Sequence, residues 1–397
     1  MYFYMMMNHL GKKTTTMKYN SLLILAAAWF LALQPLAAQG VQAGPWVCDT
    51  DENSLTILWT SEVPGMAYVE LEDGTVHYEL FAGRRIFQRL HSIRLDGFKP
   101  GSVVKYRVCG QNLLDDSNPY NPVFGKSYTG EWNSIRTLDT KASSCRFSVF
   151  NDIHLRTAEY ASLAAQVDSA NTDFLFLNGD IVTAGNYLVD SLVYYSIEPL
   201  GDLPHGLPVF FARGNHEGRG NNPKLIADIY PRADSEPFYY AFRQGPVAFL
   251  VLDAGETGEG RSVLYCGTEV YEDYIAEQMA WAQKAMREPW FRKAPLKVCI
   301  LHVPMIDHQN KDDYNIQRYL NRNVLPMLNK AGFDFMIGAD LHEFMCCDTG
   351  TMGNDFPILV NEDARRLEFS YTKGGTIDIK TFNADGTKEF ERSFRVR

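Results

Sequence analysis

Apolar positions recur in two rhythms along this chain, and the rhythm changes once. From residue 44 to about residue 139 they alternate. Leu55, Ile57 and Trp59 form one set, Ala67, Val69 and Leu71 a second, His91, Ile93 and Leu95 a third, and Val104, Tyr106 and Val108 a fourth. Period two with one apolar face predicts half-buried antiparallel strands. Asp73-Gly74 and Pro100-Gly101 punctuate them as turns. No helical stretch intervenes, so the region predicts a β-sandwich. Segment 111–133 is rich in Asn, Asp, Pro, Tyr and Gly and reads as too long for a hairpin loop. It predicts an insertion that either packs near a site or a neighbour, or stands in solvent without a role.

After Thr140 the pattern becomes strands alternating with helices. Tyr160, Leu163, Val167 and Ala170 sit at helical spacing behind Thr157, which reads as an N-cap. Tyr271, Ile275, Met279, Ala282 and Met286 form a second stripe. Residues 316–330 predict a third helix, stopped by Gly332. Phe238-Tyr-Tyr-Ala-Phe242 and Val247-Ala-Phe-Leu-Val-Leu252 predict a hairpin in a second sheet. The tail from Phe356 alternates again, with Asn383-Ala-Asp-Gly386 as a hairpin turn.

Within this second region, five apolar runs empty into polar donors. Phe147-Ser-Val-Phe150 leads to Asn151-Asp152-Ile-His154, and Phe174-Leu-Phe-Leu177 to Asn178-Gly179-Asp180. Leu207-Pro-Val-Phe-Phe211 leads to Gly214-Asn215-His216-Glu217. Val298-Cys-Ile-Leu301 leads to His302, and Phe333-Asp-Phe-Met-Ile337 to Gly338-Ala-Asp340-Leu-His342. The C-terminal ends of parallel strands are where α/β enzymes place their sites. Asp, His and Asn offer oxygen and nitrogen donors to a borderline metal ion. One such block is an ordinary loop; five in succession predict a metal centre.

These blocks resemble the calcineurin-like metallophosphoesterases, which include the purple acid phosphatases. The family pattern is Asp-x-His, Gly-Asp, Gly-Asn-His-Asp/Glu, a lone His, then Gly-His-x-His. The match runs from Asp152 to His342. Asp340 stands where the family has the first His of its last block. Thr183 stands where purple acid phosphatases have a tyrosine, so a tyrosinate–iron band is not expected. Gly44-Pro-Trp46, Leu95-Asp-Gly-Phe-Lys-Pro-Gly101 and Ile135-Arg-Thr137 resemble the fibronectin-III-like domain that precedes the catalytic domain in purple acid phosphatases. The resemblance implies residues 44–139 as that sandwich and 145–397 as an α/β metallophosphoesterase domain, two sheets flanked by helices.

Composition narrows the function classes. The chain has 397 residues, 46% hydrophobic and 22% charged, with net charge −10. These are globular values, and the charge argues against nucleic acid or an anionic membrane as partner. Two divalent ions would still reverse the local field for an anionic substrate. Residues 1–43 read as a leader. Lys12, Lys13 and Lys18 precede an apolar run over residues 22–33, with small residues at Ala37 and Ala38. That is the pattern of a cleavable secretory signal, implying a secreted or periplasmic protein with no stable membrane span after processing. An uncleaved anchor is the alternative, against which the run is short. Seven cysteines are compatible with disulfides in an exported protein, and the odd count leaves one thiol over.

A phosphate ester carries negative charge that repels hydroxide. Two divalent ions clamp the phosphoryl oxygens and hold a bridging hydroxide at neutral pH. A carboxylate shared by both ions is needed, and Asp180 is the best placed. The resemblance implies Asp152, His154, Asp180 and His342 for one ion, and Asp180, Asn215, His302 and, by position, Asp340 for the other. His216 then remains as a catalytic group that donates a proton or holds the transition state. Glu217 would orient a histidine. Arg213, Arg219 and His308 either line the pocket or are solvated. The expected activity is hydrolysis of small phosphomonoesters with manganese, iron or zinc. The alternatives are a phosphodiesterase on the same site, or a degenerate binder of phosphorylated ligands in which Asp340 marks a damaged site.

Overall fold

The computed structural model describes residues 40–183, 187–233, 236–256, 267–306 and 316–396. The leader up to residue 39, His308 and Cys266 lie outside the described residues. The first strand, Val41–Cys48, opens a seven-stranded antiparallel sheet that also holds Ser54–Leu71, Gln88–Asp96 and Val103–Asp115. Alternate residues Leu55, Ile57, Trp59, Ala67, Val69, Val104, Tyr106 and Val108 bury one shared core, as period two dictates.

Two apolar sets expected as separate strands belong to one. Ser54–Leu71 runs through a bulge, with a register shift between Thr60 and Gly65. Its first half pairs with Val41–Cys48 and Gln88–Asp96, its second with Val103–Asp115 and Val76–Tyr78. A buried network closes the bend: Ser61 Oγ lies 3.0 Å from His91 Nε2, and His91 Nδ1 lies 2.8 Å from Glu79 Oε2. Segment 111–133 is a second correction. Leu113 faces Phe124 and Asp115 faces Val123, so it is a hairpin between Val103–Asp115 and Val123–Thr129, not an insertion. Its Pro- and Asn-rich tip obscures the pairing residues on either side.

The remainder has two six-stranded sheets face to face. One is ordered Val209–Ala212, Phe174–Asn178, Ser144–Phe150, Arg366–Thr372, Thr376–Phe382, Lys388–Arg395, with its first three strands parallel. The other runs Tyr240–Gln244, Val247–Val251, Leu296–Ile300, Phe335–Gly338, Ile358–Val360, Met345–Cys347, with its middle four parallel. Between them an aromatic core forms, where Phe147 stacks on Phe174 at 4.7 Å and meets Phe249 edge-on at 5.3 Å. Neighbouring residues such as Phe150 and Cys299 point the other way, into the helical layers. The expected hairpin, Tyr240–Gln244 with Val247–Val251, is present. So is the turn closed by Asn383 and Gly386.

Two helices differ from expectation. Thr157 lies inside helix Thr157–Ala164, behind Arg156, and the helix ends before Val167 and Ala170. Residues 316–330 split into Ile316–Asn323 and Leu325–Ala331 at Val324, because Pro326 supplies no amide to continue the ladder. Gly332, with φ 68°, caps the second. The antiparallel region packs on the α/β region through Trp46 Nε1, which donates to Ile229 O at 2.9 Å, and Tyr106 Oη, which donates to His205 O at 3.0 Å. Residues Cys48, Cys109, Cys145, Cys299, Cys346 and Cys347 are free thiols.

Candidate metal centre

All five polar blocks lie at the C-terminal ends of parallel strands, on one side of the two sheets. The chain must turn at once there to aim side chains back over the strand ends. Five of the seven expected ligands do so with left-handed backbone: Asp152 (φ 48°), His154 (48°), Asp180 (53°), Asp340 (69°) and His342 (55°). Non-glycine residues avoid this region, and strain of this kind gathers at functional sites. Gly179 and Gly214 make room. A Cβ on Gly179 would stand 2.5 Å from His302 Nδ1, and one on Gly214 would stand 2.2 Å from Asp180 Oδ1. At Gly214 the need is close approach and not a left-handed turn.

Asp180 sits at the centre. Its Oδ1 lies 3.4 Å from His302 Nε2, while its Oδ2 lies 3.8 Å from His154 Nε2 and 3.7 Å from His216 Nε2. Asp152 Oδ1 is 3.7 Å from His154 Nε2, 3.9 Å from His302 Nε2 and 3.9 Å from His342 Nδ1. Donor atoms group as Asp152–His154–His342, His154–Asp180–His216 and Asp152–Asp180–His302. Asp340 Oδ1 lies 3.9 Å from His302 Nε2, and its Oδ2 accepts from Gln317 at 3.3 Å. Asn215 Nδ2 donates to Glu256 at 2.9 Å.

His302 Nδ1 donates to the carbonyl of Asn178 at 2.6 Å. In the neutral ring Nε2 is therefore a lone pair, and it faces carboxylate oxygens of Asp152, Asp180 and Asp340. Asp152 Oδ1, His154 Nε2 and His302 Nε2 are all buried with no hydrogen-bond partner among the described residues. Buried acceptors facing acceptors are costly unless a cation lies between them. The residues present therefore fit divalent metal ions.

The same crowding shifts the protons of these groups. Burial pushes the Asp340 carboxyl up to about 7, with Asp152 and Asp180 adding to it against His302. Burial raises Asp152 as well. Burial would also raise Asp180, but the imidazoles of His302 and His216 and the His216 amide hold it at about 2. Burial would lower His302, yet the carboxylates of Asp180 and Asp152 raise it well above the imidazole range. His216 is held below that range by burial, with Arg219 beside it.

Several neighbours depart from expectation. Among the described residues Glu217 orients no histidine. It accepts backbone N–H groups of Asp180 (2.9 Å), Ile181 (2.9 Å), Val182 (3.3 Å) and Gly214 (2.9 Å), pinning two blocks together. Arg213 pairs with Asp253 at 2.6 Å, away from solvent. Arg219 Nη1 donates to His216 Nε2 at 2.8 Å, and its Nε to Glu256 at 2.7 Å. Glu256 and Asp363 were not singled out in the sequence. Each follows an apolar strand, Val247–Val251 and Ile358–Val360, just as the five recognised blocks do, and that signal could have found them.

The model of the calcineurin-like phosphoesterase family matches residues 145–344. Among solved structures, the fold is similar to a purple acid phosphatase from yellow lupin (Lupinus luteus) seeds. That likeness has a TM-score of 0.62 at 13% identity, over 90% of this chain and 75% of that one. It is also similar to PhoD, with a TM-score of 0.61 at 10% identity, over 91% of this chain and 94% of that one. At these identities the likeness is one of fold. No curated protein matches the sequence.

Proposed function

The chain belongs to the calcineurin-like phosphoesterase family, and on that premise we propose that it is an exported phosphomonoesterase with two divalent ions. It is a metal-dependent phosphoester hydrolase; the finer reading rests mainly on Asp180. The two oxygens of this one carboxylate face different histidines, His302 and His154, as a carboxylate shared by two ions must. Asp152, His154 and His342 would complete one ion's set, and Asn215, His302 and Asp340 the other's. Bound there, the ions supply Lewis acidity toward the phosphoryl oxygens and a nucleophile at neutral pH.

His216 carries the remaining role. Its amide donates to Asp180 Oδ1 at 2.9 Å, so the ring is placed by the bridging carboxylate itself. Arg219 already donates to its Nε2, and the ring meets the transferring group as a neutral hydrogen-bonding partner. The seven antiparallel strands support a fibronectin-III-like domain over residues 44–139, ahead of a catalytic domain over 145–397. Lysines followed by an apolar run in residues 1–43 support export.

A panel of phosphomonoesters, phosphodiesters and sugar phosphates, assayed with Mn²⁺, Zn²⁺ and Fe²⁺ in turn, tests the substrate class. Monoesters are expected to lead in kcat/KM; faster diesters would reassign it. Recovery of the protein in the cytoplasmic fraction alone would remove export.

A further inference from the structure

We propose that Asp363 is a positioning residue of the metal centre, holding the ring of His342 while Arg156 holds Asp363. The inference rests on the metallophosphoesterase reading above. Asp363 lies beyond the family match, which ends at residue 344, and belongs to none of the recognised blocks. It follows strand Ile358–Val360, the parallel neighbour of the strand that delivers Asp340 and His342.

His342 needs such a partner. Its side chain is 51% exposed, against 1% for His302 and 20% for His154. Packing fixes the ring of His302, but it leaves that of His342 free to rotate, and a free ring loses entropy on binding an ion. His342 Nδ1 donates to Asp363 Oδ1 in a short hydrogen bond. That bond sets the tautomer, with the proton on Nδ1 and the lone pair on Nε2, and a carboxylate behind an imidazole raises its basicity. Nδ1 is also the ring nitrogen that stands 3.9 Å from Asp152 Oδ1, so Nε2 meets an ion when the ring pivots on the Asp363 bond.

Asp363 is itself anchored. Its Oδ2 accepts from Arg156 Nη2 at 3.3 Å, and the same guanidinium donates through Nε to Ile153 O at 2.9 Å and through Nη2 to Asp152 O. Arg156 thus ties the turn that carries Asp152 and His154 to the carboxylate that carries His342. A second tie lies alongside, where Asn361 Nδ2 donates to Asn151 Oδ1 at 2.7 Å and Asn151 Nδ2 to Glu362 O at 3.2 Å. The first and last ligand blocks are therefore set against each other by residues 361–363.

The test is zinc binding to metal-free protein, followed by calorimetry against a competing chelator, so activity is not the readout. Wild type should bind Zn²⁺ in two steps. Asp363→Ala should weaken one step by roughly 10–100-fold and leave the other. Asp363→Asn, whose amide oxygen still accepts from Nδ1, should recover part of the loss. Arg156→Met should weaken the same step. Unchanged or tighter zinc binding by both Asp363 variants overturns the proposal, since it would mean that Asp363 competes with the ion for the ring. Nitrogen-15 NMR of zinc-loaded wild type checks the tautomer without a variant: His342 should be protonated at Nδ1, and zinc at Nδ1 overturns the proposal. Wild type that takes up no zinc would instead remove the metallophosphoesterase reading.

Discussion

His216 and Asp340 are the two side chains whose neighbours change what their types suggest. A histidine beside a phosphoester site suggests a proton donor, but Arg219 donates to His216 Nε2 at 2.8 Å. A ring so occupied stabilises the transferring group by hydrogen bonding. His216→Ala should therefore keep its ions and lose roughly 10²–10³ in kcat. The loss should be similar for nitrophenyl and alkyl phosphates; a loss confined to alkyl esters, which need a protonated leaving group, would restore the proton-donor role. Asp340 faces His302 and adds a carboxylate where the family has an imidazole. A harder oxygen donor favours manganese or iron over zinc. Asp340→His should shift the preference toward zinc and keep activity. Asp340→Ala should lower both ion content and rate, and an alanine variant equal to wild type in both would remove Asp340 from the site.

At the scale of elements, the centre is five strand ends held at fixed spacing. Glu217 is the tie between two of them, because one buried carboxylate serves four backbone amides. Glutamine at this position keeps one acceptor oxygen and turns an N–H₂ toward amide donors. Glu217→Gln should lower stability by roughly 1–3 kcal/mol, the cost of buried groups left unpaired. The midpoint of urea unfolding measures it. A midpoint equal to wild type would mean that the two turns hold their shape without the tie. The same scale explains the split after Asn323. A stripe of apolar residues reads as one helix, while Pro326 divides it without disturbing the stripe.

Across the whole molecule, folding brings Asp152, Asp180 and Asp340 into one buried cluster against their mutual repulsion. Metal binding offsets this, and only the folded chain presents the site, so ions should stabilise the fold as a whole. Chelation should lower Tm, and adding Mn²⁺ or Zn²⁺ should restore it. At a free ion concentration about 100 times Kd the linkage is worth roughly 2.7 kcal/mol per site. Scanning calorimetry with and without EDTA measures it. An unchanged Tm would mean that the site holds no ion under those conditions.

The order of apolar and polar residues by itself determined the class of each region, the strand ends and the donor types. Those features are local: a strand pattern is written in consecutive residues, and Asp, His and Asn announce their chemistry by type. Asp180 was legible as the candidate for a shared carboxylate from its place at a strand end, while the resemblance supplied the two ligand sets. What tertiary structure decided depends on groups far apart in sequence. Only the fold sets Asp363 behind His342 and Arg219 against His216, and only the fold turns Glu217 toward backbone amides instead of a histidine. The left-handed backbone at Asp152, Asp180 and Asp340 is likewise illegible in the sequence, because Asp adopts it more often than most residues yet still only in a small minority of positions. It persists because the surrounding sheets and hydrogen bonds hold the turns in place.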